Sequence, residues 1–431
     1  MIKAVRGTRD LLPPETETWN YVESVARDVF RAYNFHEIRT PVFEDTSLFS
    51  RSIGEETDVV SKEMFTWDDR GRAASDKGQS LTLRPENTAG VVRAYIEHKL
   101  WERPGVQKLY YLGPQFRRER PQKGRYRQFY QIGAEMIGPP AAGSESPARD
   151  AEILEMLATL LERLGLNNWT LQLNSVGCPN DRQRYNQVLR AALAGVVDTM
   201  CADCRRRAVT NPLRVLDCKV PADQPIIESL PKILDYLDDA CVQHFRQVRQ
   251  ILDSIGIPYV INPRMVRGLD YYRRTTWEFT HGALGAQNAI LGGGRYDGLS
   301  ETLGGPRAPG IGFAIGEDRL VLALQETVGA ASTAPDAYIA PLGRGMDRAA
   351  ARLARELRRD SIVVELGDEN FRLKKSLETA SKIGARFAII VGENEVQAGQ
   401  FALKNLGTGE QITVPRTELA TRIRTLSQAP R

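Results

Sequence analysis

The chain reads as an α+β protein in two parts. An antiparallel sheet with helices and a helical insertion occupies residues 1–330, and an α/β module follows over 331–431. Three observations predict this. Residues 109–138 hold two strand-like runs around a short polar loop, the pattern of a hairpin. Strand-like stretches return only at 259–316, after a charged, helical interval at about 178–258 that reads as an insertion. Beyond the small, turn-forming residues AASTAPD (330–336) the pattern becomes β–α–β–α.

Residues 14–34 have the apolar spacing of an amphipathic helix. FHEIRTPVFED (35–45) is strand-like and interrupted by Pro41, which suits an edge or a strand start. Residues 51–78 are polar and charged and read as a mobile loop with a hairpin, in the position of a lid. SLTLRPENTAGVVRAYIEH then gives a strand, a Pro-bounded turn and a helix. Glu86, Asn87 and Thr88 sit in that turn, where Asn87 or Thr88 can cap the helix and an acid suits its positive end. A loop at 139–150, a helix at 150–165, the insertion, and strands through 316 complete the first part before the helix EDRLVLALQETV. In the module, AYIAPL, SIVVEL and RFAIIVG read as strands of a largely parallel sheet, with helices between them.

A content of 42% hydrophobic and 26% charged residues in 431 is that of a globular protein of two or three domains. No apolar run approaches membrane-span length, and the N-terminal MIKAVRGTRDLLPPE lacks a signal-peptide core, so a cytoplasmic location is expected. Residues 332–431 hold 16 Lys and Arg against 12 Asp and Glu, so the net charge of +4 falls on the module and favours an RNA-facing role there. Cys201-Ala-Asp-Cys204 has the spacing of half a zinc site, with Cys178 before it and Cys218 after it. The spacing is irregular and no second CxxC follows. Zinc stays open, and reduced thiols are the plainer reading. There is no GxxxxGK[ST] and no GxGxxG opening a helix, so neither a P-loop nor a Rossmann dinucleotide site is supported.

The chemistry concentrates in 109–138. Strict alternation puts Tyr130, Ile132, Ala134 and Met136 on a core face and Phe129, Gln131, Gly133 and Glu135 on the other. Arg117, Arg118, Arg120, Lys123, Arg125 and Arg127 crowd the loop. A basic hairpin loop is ordinarily solvated surface, but a carboxylate among apolar strands is costly unless something pairs with it. The pattern therefore points to a pocket for a ligand with a cationic or hydrogen-bonding end and an anionic end. Gly292-Gly-Gly-Arg-Tyr296-Asp-Gly298 lets backbone approach a small substrate. Arg267-Gly-Leu-Asp-Tyr271-Tyr272 adds an arginine and two hydroxyls. Arg319 opens a helix against the local dipole, which an anionic ligand would explain.

Phe116-Arg117-Arg118-Glu119 with its flanking strands resembles motif 2 of the class II aminoacyl-tRNA synthetases, most closely the histidyl-tRNA synthetase family. FHEIRTPVFED resembles motif 1, which builds a dimer interface, and GIGFAIGEDR (310–319) resembles motif 3. The Gly292–Gly298 and Arg267–Tyr272 runs resemble that family's two histidine signatures. The resemblance covers nearly the whole chain and implies a class II synthetase-like core followed by an anticodon-binding-like domain. It implies L-histidine, ATP and tRNA(His) as substrates, Mg²⁺ as cofactor and a homodimer without membrane contact. By the same resemblance, Glu135 and Tyr272 hold the imidazole ring, with Tyr271 and Tyr296 closing the pocket. Glu86, Thr88 and Gln131 take the α-amino group. Arg117 and Arg267 act on the α-phosphate, Arg267 also bordering the histidine. Phe129 stacks on adenine, Arg319 lies against the adenine and the phosphate tail, and Arg125 and Glu119 serve the ATP site. No protein ligand for the metal is assigned. Two departures stand out: Asn87 replaces the family's usual Gly, where positive φ in Asn would preserve the turn, and Glu317-Asp318 precede Arg319. The rival reading is a non-catalytic, synthetase-like regulatory subunit of ATP phosphoribosyltransferase, which usually lacks the C-terminal module. A free-standing RNA-binding module suits neither the mild charge nor the buried-site pattern.

Overall fold

A computed structural model describes residues 2–54, 57, 59–69, 78–122, 124–266, 271–284, 288–327 and 334–428. The chain divides into two compact units, Met1–Ala331 and Ser332–Arg431.

In the first unit, helix α1 (Glu15–Ala32) buries Trp19, Val22, Ala26, Val29 and Phe30, one stripe at three- and four-residue spacing. Strands β1 (His36–Glu37) and β2 (Phe43–Asp45) flank Pro41, and Asp45 caps α2 (Thr46–Ile53) by accepting the Ser47 N–H. The expected loop over 51–78 is more regular than its composition suggests. A π-helical turn (Val59–Glu63) leads into β3 (Phe65–Asp69), which pairs with β4 (Gln79–Leu83). Residues 55, 56, 58 and 70–77 of that stretch lie outside the described residues, and with them part of the expected lid. Strands β2, β4 and β3 form a small antiparallel sheet.

Helix α3 (Thr88–Glu97) follows, then β5 (Gln107–Phe116), β6 (Gln128–Ile137), α4 (Pro147–Arg163) and β7 (Trp169–Ser175). The interval expected as an insertion contains α5 (Pro179–Ala194), α6 (Ala202–Thr210), α7 (Gln224–Ser229) and α8 (Asp239–Ser254). Then come β8 (Val260–Ile261), β9 (Arg273–His281), β10 (Ala289–Arg295), α9 (Leu299–Thr302), β11 (Gly310–Gly316) and α10 (Glu317–Thr327). Eight strands form one sheet in the order β1-β5-β6-β11-β10-β9-β7-β8, antiparallel except for the parallel edge pairs β1/β5 and β7/β8. One face packs α1, α4, α8 and α10 on Ile132, Ala134, Met136, Trp277, Phe279, Ile311 and Phe313. The other face meets α3 and the insertion, whose Tyr185, Leu189, Leu213 and Leu216 share a second cluster with Tyr271, Tyr272 and Tyr296.

The second unit holds β12 (Ala337–Pro341), α11 (Met346–Arg359), β13 (Val364–Leu366), α12 (Leu373–Lys382), β14 (Phe387–Val391), α13 (Glu393–Ala398), β15 (Gln400–Asn405), β16 (Gln411–Pro415) and α14 (Leu419–Gln428). The expectation of a largely parallel sheet needs correcting. The order is β13-β12-β14-β15-β16, and only β13/β12 and β12/β14 are parallel. The last two strands are an antiparallel hairpin whose turn Asn405 closes by accepting the Gly407 and Thr408 N–H groups, with Gly409 at φ 79°. Among the described residues no helix is long and apolar enough to cross a membrane.

Candidate active site

The site begins with the β5–β6 hairpin register. Leu109 faces Glu135, Tyr111 faces Gly133, Gly113 faces Gln131 and Gln115 faces Phe129. Cross-strand partners share a face, so this row forms the floor of a pocket. Gly312 of β11 lies opposite Glu135, and a Cβ there would stand 1.7 Å from Glu135 Oε2. A Cβ on Gly133 would meet the Tyr111 hydroxyl at 2.4 Å, and one on Gly310 would meet the Tyr296 ring at 2.1 Å. The glycines are thus spaces reserved for polar side chains.

Glu135 is fully buried. Thr88 Oγ1 donates to its Oε1 at 2.6 Å, while Oε2 has no hydrogen-bond partner among the described residues. Burial pushes its carboxyl up to about 8; the hydroxyls of Thr88 and Tyr296, the latter facing it without hydrogen-bond geometry, oppose the rise, and the negative charge of nearby Glu86 adds to it. The hydroxyls of Tyr111 and Tyr296 and the carbonyl oxygen of Gln131 are likewise buried without partners. The Tyr271 ring is tilted against Tyr272 with centroids 4.8 Å apart and lies edge-on to Tyr296 at 6.0 Å. Four tyrosines, two carboxyls, a hydroxyl and an amide therefore enclose one space. Its unused hydrogen-bonding atoms imply a small polar ligand, because buried polar groups are ordinarily satisfied.

The turn before α3 is organised differently from its sequence expectation. Asn87 sits at φ −116°, not at positive φ, and its side chain makes no cap bond. Glu86 does the capping, its carboxylate accepting from Thr88 N at 2.7 Å and Ala89 N at 3.0 Å. Asn87 Oδ1 instead accepts from Thr40 Oγ1 at 2.6 Å. Arg84, not singled out from sequence, locks the turn by donating to the carbonyls of Pro114 at 2.9 Å and Thr40 at 3.1 Å.

A cationic cluster occupies the outer end of the hairpin. Arg117 donates to the Pro85 carbonyl at 2.8 Å and lies 5.3 Å over the Phe129 ring. Glu119 approaches Arg125 at 3.2 Å and Arg117 at 3.7 Å. Burial and then Arg125 hold Arg319 below its usual value, against the pull of Glu278 and Glu119. So Arg117, Glu119, Arg125, Phe129 and Arg319 come together, and Arg117 joins them to the turn. Arg118 and Arg127 do other work, over Phe65 and against Gly7. Arg267 and Lys123 lie outside the described residues. Ahead of Arg319, Asp318 accepts the Tyr130 N–H and the Arg9 guanidinium, each at 3.1 Å. Glu317 is buried, and among the described residues both its oxygens are unpartnered.

Sequence reasoning missed three groups. Tyr111 faces the pocket, and its register opposite Gly133 was the available signal. Gln115, opposite Phe129, is fully buried, with both amide atoms unpartnered among the described residues. Asp150 pairs with Arg295 at 2.6 Å and with His244 Nε2 at 2.9 Å, all three buried, and so anchors the strand end that carries Tyr296.

Comparison with known proteins follows the same lines. A family model described as Histidyl-tRNA synthetase matches residues 7–320, and one described as Anticodon binding domain matches 336–426. A protein of Koribacter versatilis (strain Ellin345) named "Histidine--tRNA ligase" is 70% identical over 98% of this chain and 96% of its own length. A Solibacter usitatus (strain Ellin6076) protein of the same name is 60% identical over 98% and 99%. The solved structure of apo S. aureus histidyl-tRNA synthetase is 37% identical with a TM-score of 0.78, covering 98% of this chain and all of that one. A floor of Gln131 and Glu135, walls of tyrosine and a rim of arginines thus sit within a full-length match: the chain belongs to the histidyl-tRNA synthetase family.

Proposed function

We propose that the chain is a histidine–tRNA ligase, which activates L-histidine with ATP to histidyl-adenylate and passes the acyl group to the 3′ end of tRNA(His). The observation that carries this is Glu135, a fully buried carboxyl with one unpartnered oxygen in a tyrosine-lined space. An imidazole has two ring nitrogens to satisfy. Glu135 takes one and Tyr272 the other. Gln131, with Glu86 and Thr88 beside it, receives the α-amino group, and Tyr271 and Tyr296 close around the ring. Glu86 spends its oxygens on the helix cap, so its part is charge more than a direct bond.

The histidine carboxylate then lies toward Arg117, where in-line attack on the α-phosphate needs positioning and charge neutralisation more than covalent help. Arg117 and Arg267 supply these, Phe129 stacks on adenine, and Arg319, Arg125 and Glu119 serve the adenine and the phosphate tail. Mg²⁺ suits this end of the site, because Glu119 and Glu278 sit close to Arg319 and could hold it together with phosphate oxygens, adding positive charge there. The enzyme works as a homodimer through residues near 15–50, its second unit binds tRNA, and its substrates place it in the cytoplasm. The regulatory-subunit reading is disfavoured by the anticodon-domain match and by full-length relatives named as ligases.

Histidine-dependent exchange of pyrophosphate into ATP tests the reading. Glu135→Ala should abolish it, because sites built to satisfy buried polar groups discriminate by roughly 10⁴ or more. Normal exchange by that variant would remove Glu135 from ring recognition.

A further inference from the structure

We propose that Cys201, Cys204, Cys218 and Asp223 form a structural site for one thiophilic divalent cation, zinc, inside the helical insertion. Their three sulfurs and one carboxylate oxygen all lie within 4.8 Å of one another. A tetrahedral zinc with Zn–S of about 2.3 Å and Zn–O of about 2.0 Å requires S–S edges of about 3.8 Å and S–O edges of about 3.5 Å. Cys201 Sγ and Cys218 Sγ are 3.9 Å apart, and Cys218 Sγ is 3.4 Å from Asp223 Oδ2.

Backbone N–H groups point at the ligand atoms, while burial pushes the Cys204 and Cys218 thiols up, so a cation would have to displace their protons. The Cys204 N–H donates to Cys201 Sγ and the Val220 N–H to Cys218 Sγ, each at 3.4 Å. The Cys201 N–H donates to both Asp223 oxygens at 3.2 Å. Such bonds orient metal ligands and favour their charged form. Cys204, Cys218 and Asp223 are buried and Cys201 is half-buried, so the site is closed, as structural zinc sites are. Binding would release three thiol protons and leave a −2 centre beside the basic run Arg205-Arg206-Arg207 and Lys219.

The other cysteine group shows what a satisfied alternative looks like. Cys178, Asp181, Asp238 and Cys241 also converge. There, however, the carboxylates are engaged as helix caps. Asp181 accepts from the N–H of Cys178 and of Asp238, and Asp238 accepts from the N–H of Cys241. That group offers two sulfurs and two carboxylates, a harder donor set than three sulfurs and one carboxylate, so a thiophilic cation suits the group around Asp223 better.

Cys204 and Cys218 also belong to the apolar cluster that contains Tyr271, Tyr272 and Tyr296. The metal would therefore stiffen the wall behind the tyrosines while touching no substrate.

The test is the metal content of the full-length protein, prepared under reducing conditions with zinc in the medium and no chelator. Roughly one zinc per chain is expected, with a tetrahedral thiolate spectrum on cobalt exchange. Cys201→Ser and Asp223→Ala should each lower the bound zinc several-fold, while Cys178→Ser and Cys241→Ser should not. Should the site variants fold poorly, thiol titration of the unaltered protein decides. Chelation should expose three additional reactive thiols and lower the unfolding temperature. Protein without stoichiometric zinc, zinc retained in both site variants, thiol reactivity unchanged by chelator, or an intact mass showing a Cys201–Cys218 disulfide would overturn the proposal.

Discussion

Glu135 must share its proton with the ligand, and this gives histidine binding a pH window. The ring of free histidine titrates near ~6.5, and Glu135 is pushed up to about 8. The bound pair holds one titrating proton between them. Below the lower value the separated partners carry two, and above the upper value none. Histidine KM in the exchange reaction should therefore be lowest between about 6.5 and 8 and rise on both sides. Glu135→Gln should remove the alkaline rise, and an alkaline limb shared by both proteins would refute the assignment. A different buried acid governs stability. Burial pushes Glu317 up to about 9, with Glu23 and Asp318 adding to it. The native state keeps this proton while the unfolded chain loses it near 4.5. Stability from this group is therefore full below that value, falls as pH rises, and is lost above about 9. Glu317→Gln should leave stability unchanged at acid pH and raise it at alkaline pH by up to a few kcal/mol, roughly 1–3. Denaturant melts across that range check this; an equal gain at every pH would refute it.

At the scale of elements, the small β2-β4-β3 sheet carries an exposed apolar pair, Phe43 and Trp67, 53% and 41% exposed with ring centroids 6.0 Å apart. Val42, adjacent to Phe43 in sequence, is also exposed, as is Tyr21 on α1. This composition suits the proposed homodimer contact, which should bury more than roughly 1,000 Å². Phe43→Glu with Trp67→Glu should yield monomers in sedimentation at micromolar concentration; an unchanged dimer would place the contact elsewhere. The elements also show what sequence can reveal. The β5–β6 hairpin was legible because its alternation is strict and local. Asp150, Arg295 and His244 were not, because their pairing joins segments far apart in the chain and no local pattern announces it. Asp223 was hidden for a related reason: beside cysteines it is chemically unlike what a CxxC pattern seeks. The Asn87 turn was misjudged because the cap comes from Glu86, a contest between neighbouring side chains that only coordinates decide. The final hairpin of the second unit was lost to the βα rhythm before it, although Asn405 and Gly409 carried turn chemistry.

For the whole molecule, the division at Ser332 predicts separable activities. A chain ending near residue 328 should still form histidyl-adenylate but charge tRNA poorly, with a defect that is largest at low salt and narrows as salt rises, because the lost contacts are to phosphate. Arg372, Lys374 and Lys375, exposed at the start of α12 with no acid in its first turn, are the first contacts to alter. Charging by the shortened chain equal to that of the full protein at low salt would give the second unit another role. The strand order carries a consequence for biosynthesis. β6 ends at Ile137, but its neighbour β11 begins only at Gly310. On a ribosome adding about 5–20 residues per second, β6 waits roughly ten to thirty seconds with one side of its backbone unpaired. An open strand edge invites pairing with other chains. The nascent protein is thus most exposed to aggregation at the strand that later holds the ligand, and added histidine cannot rescue it, because its pocket does not exist until translation has passed Gly316.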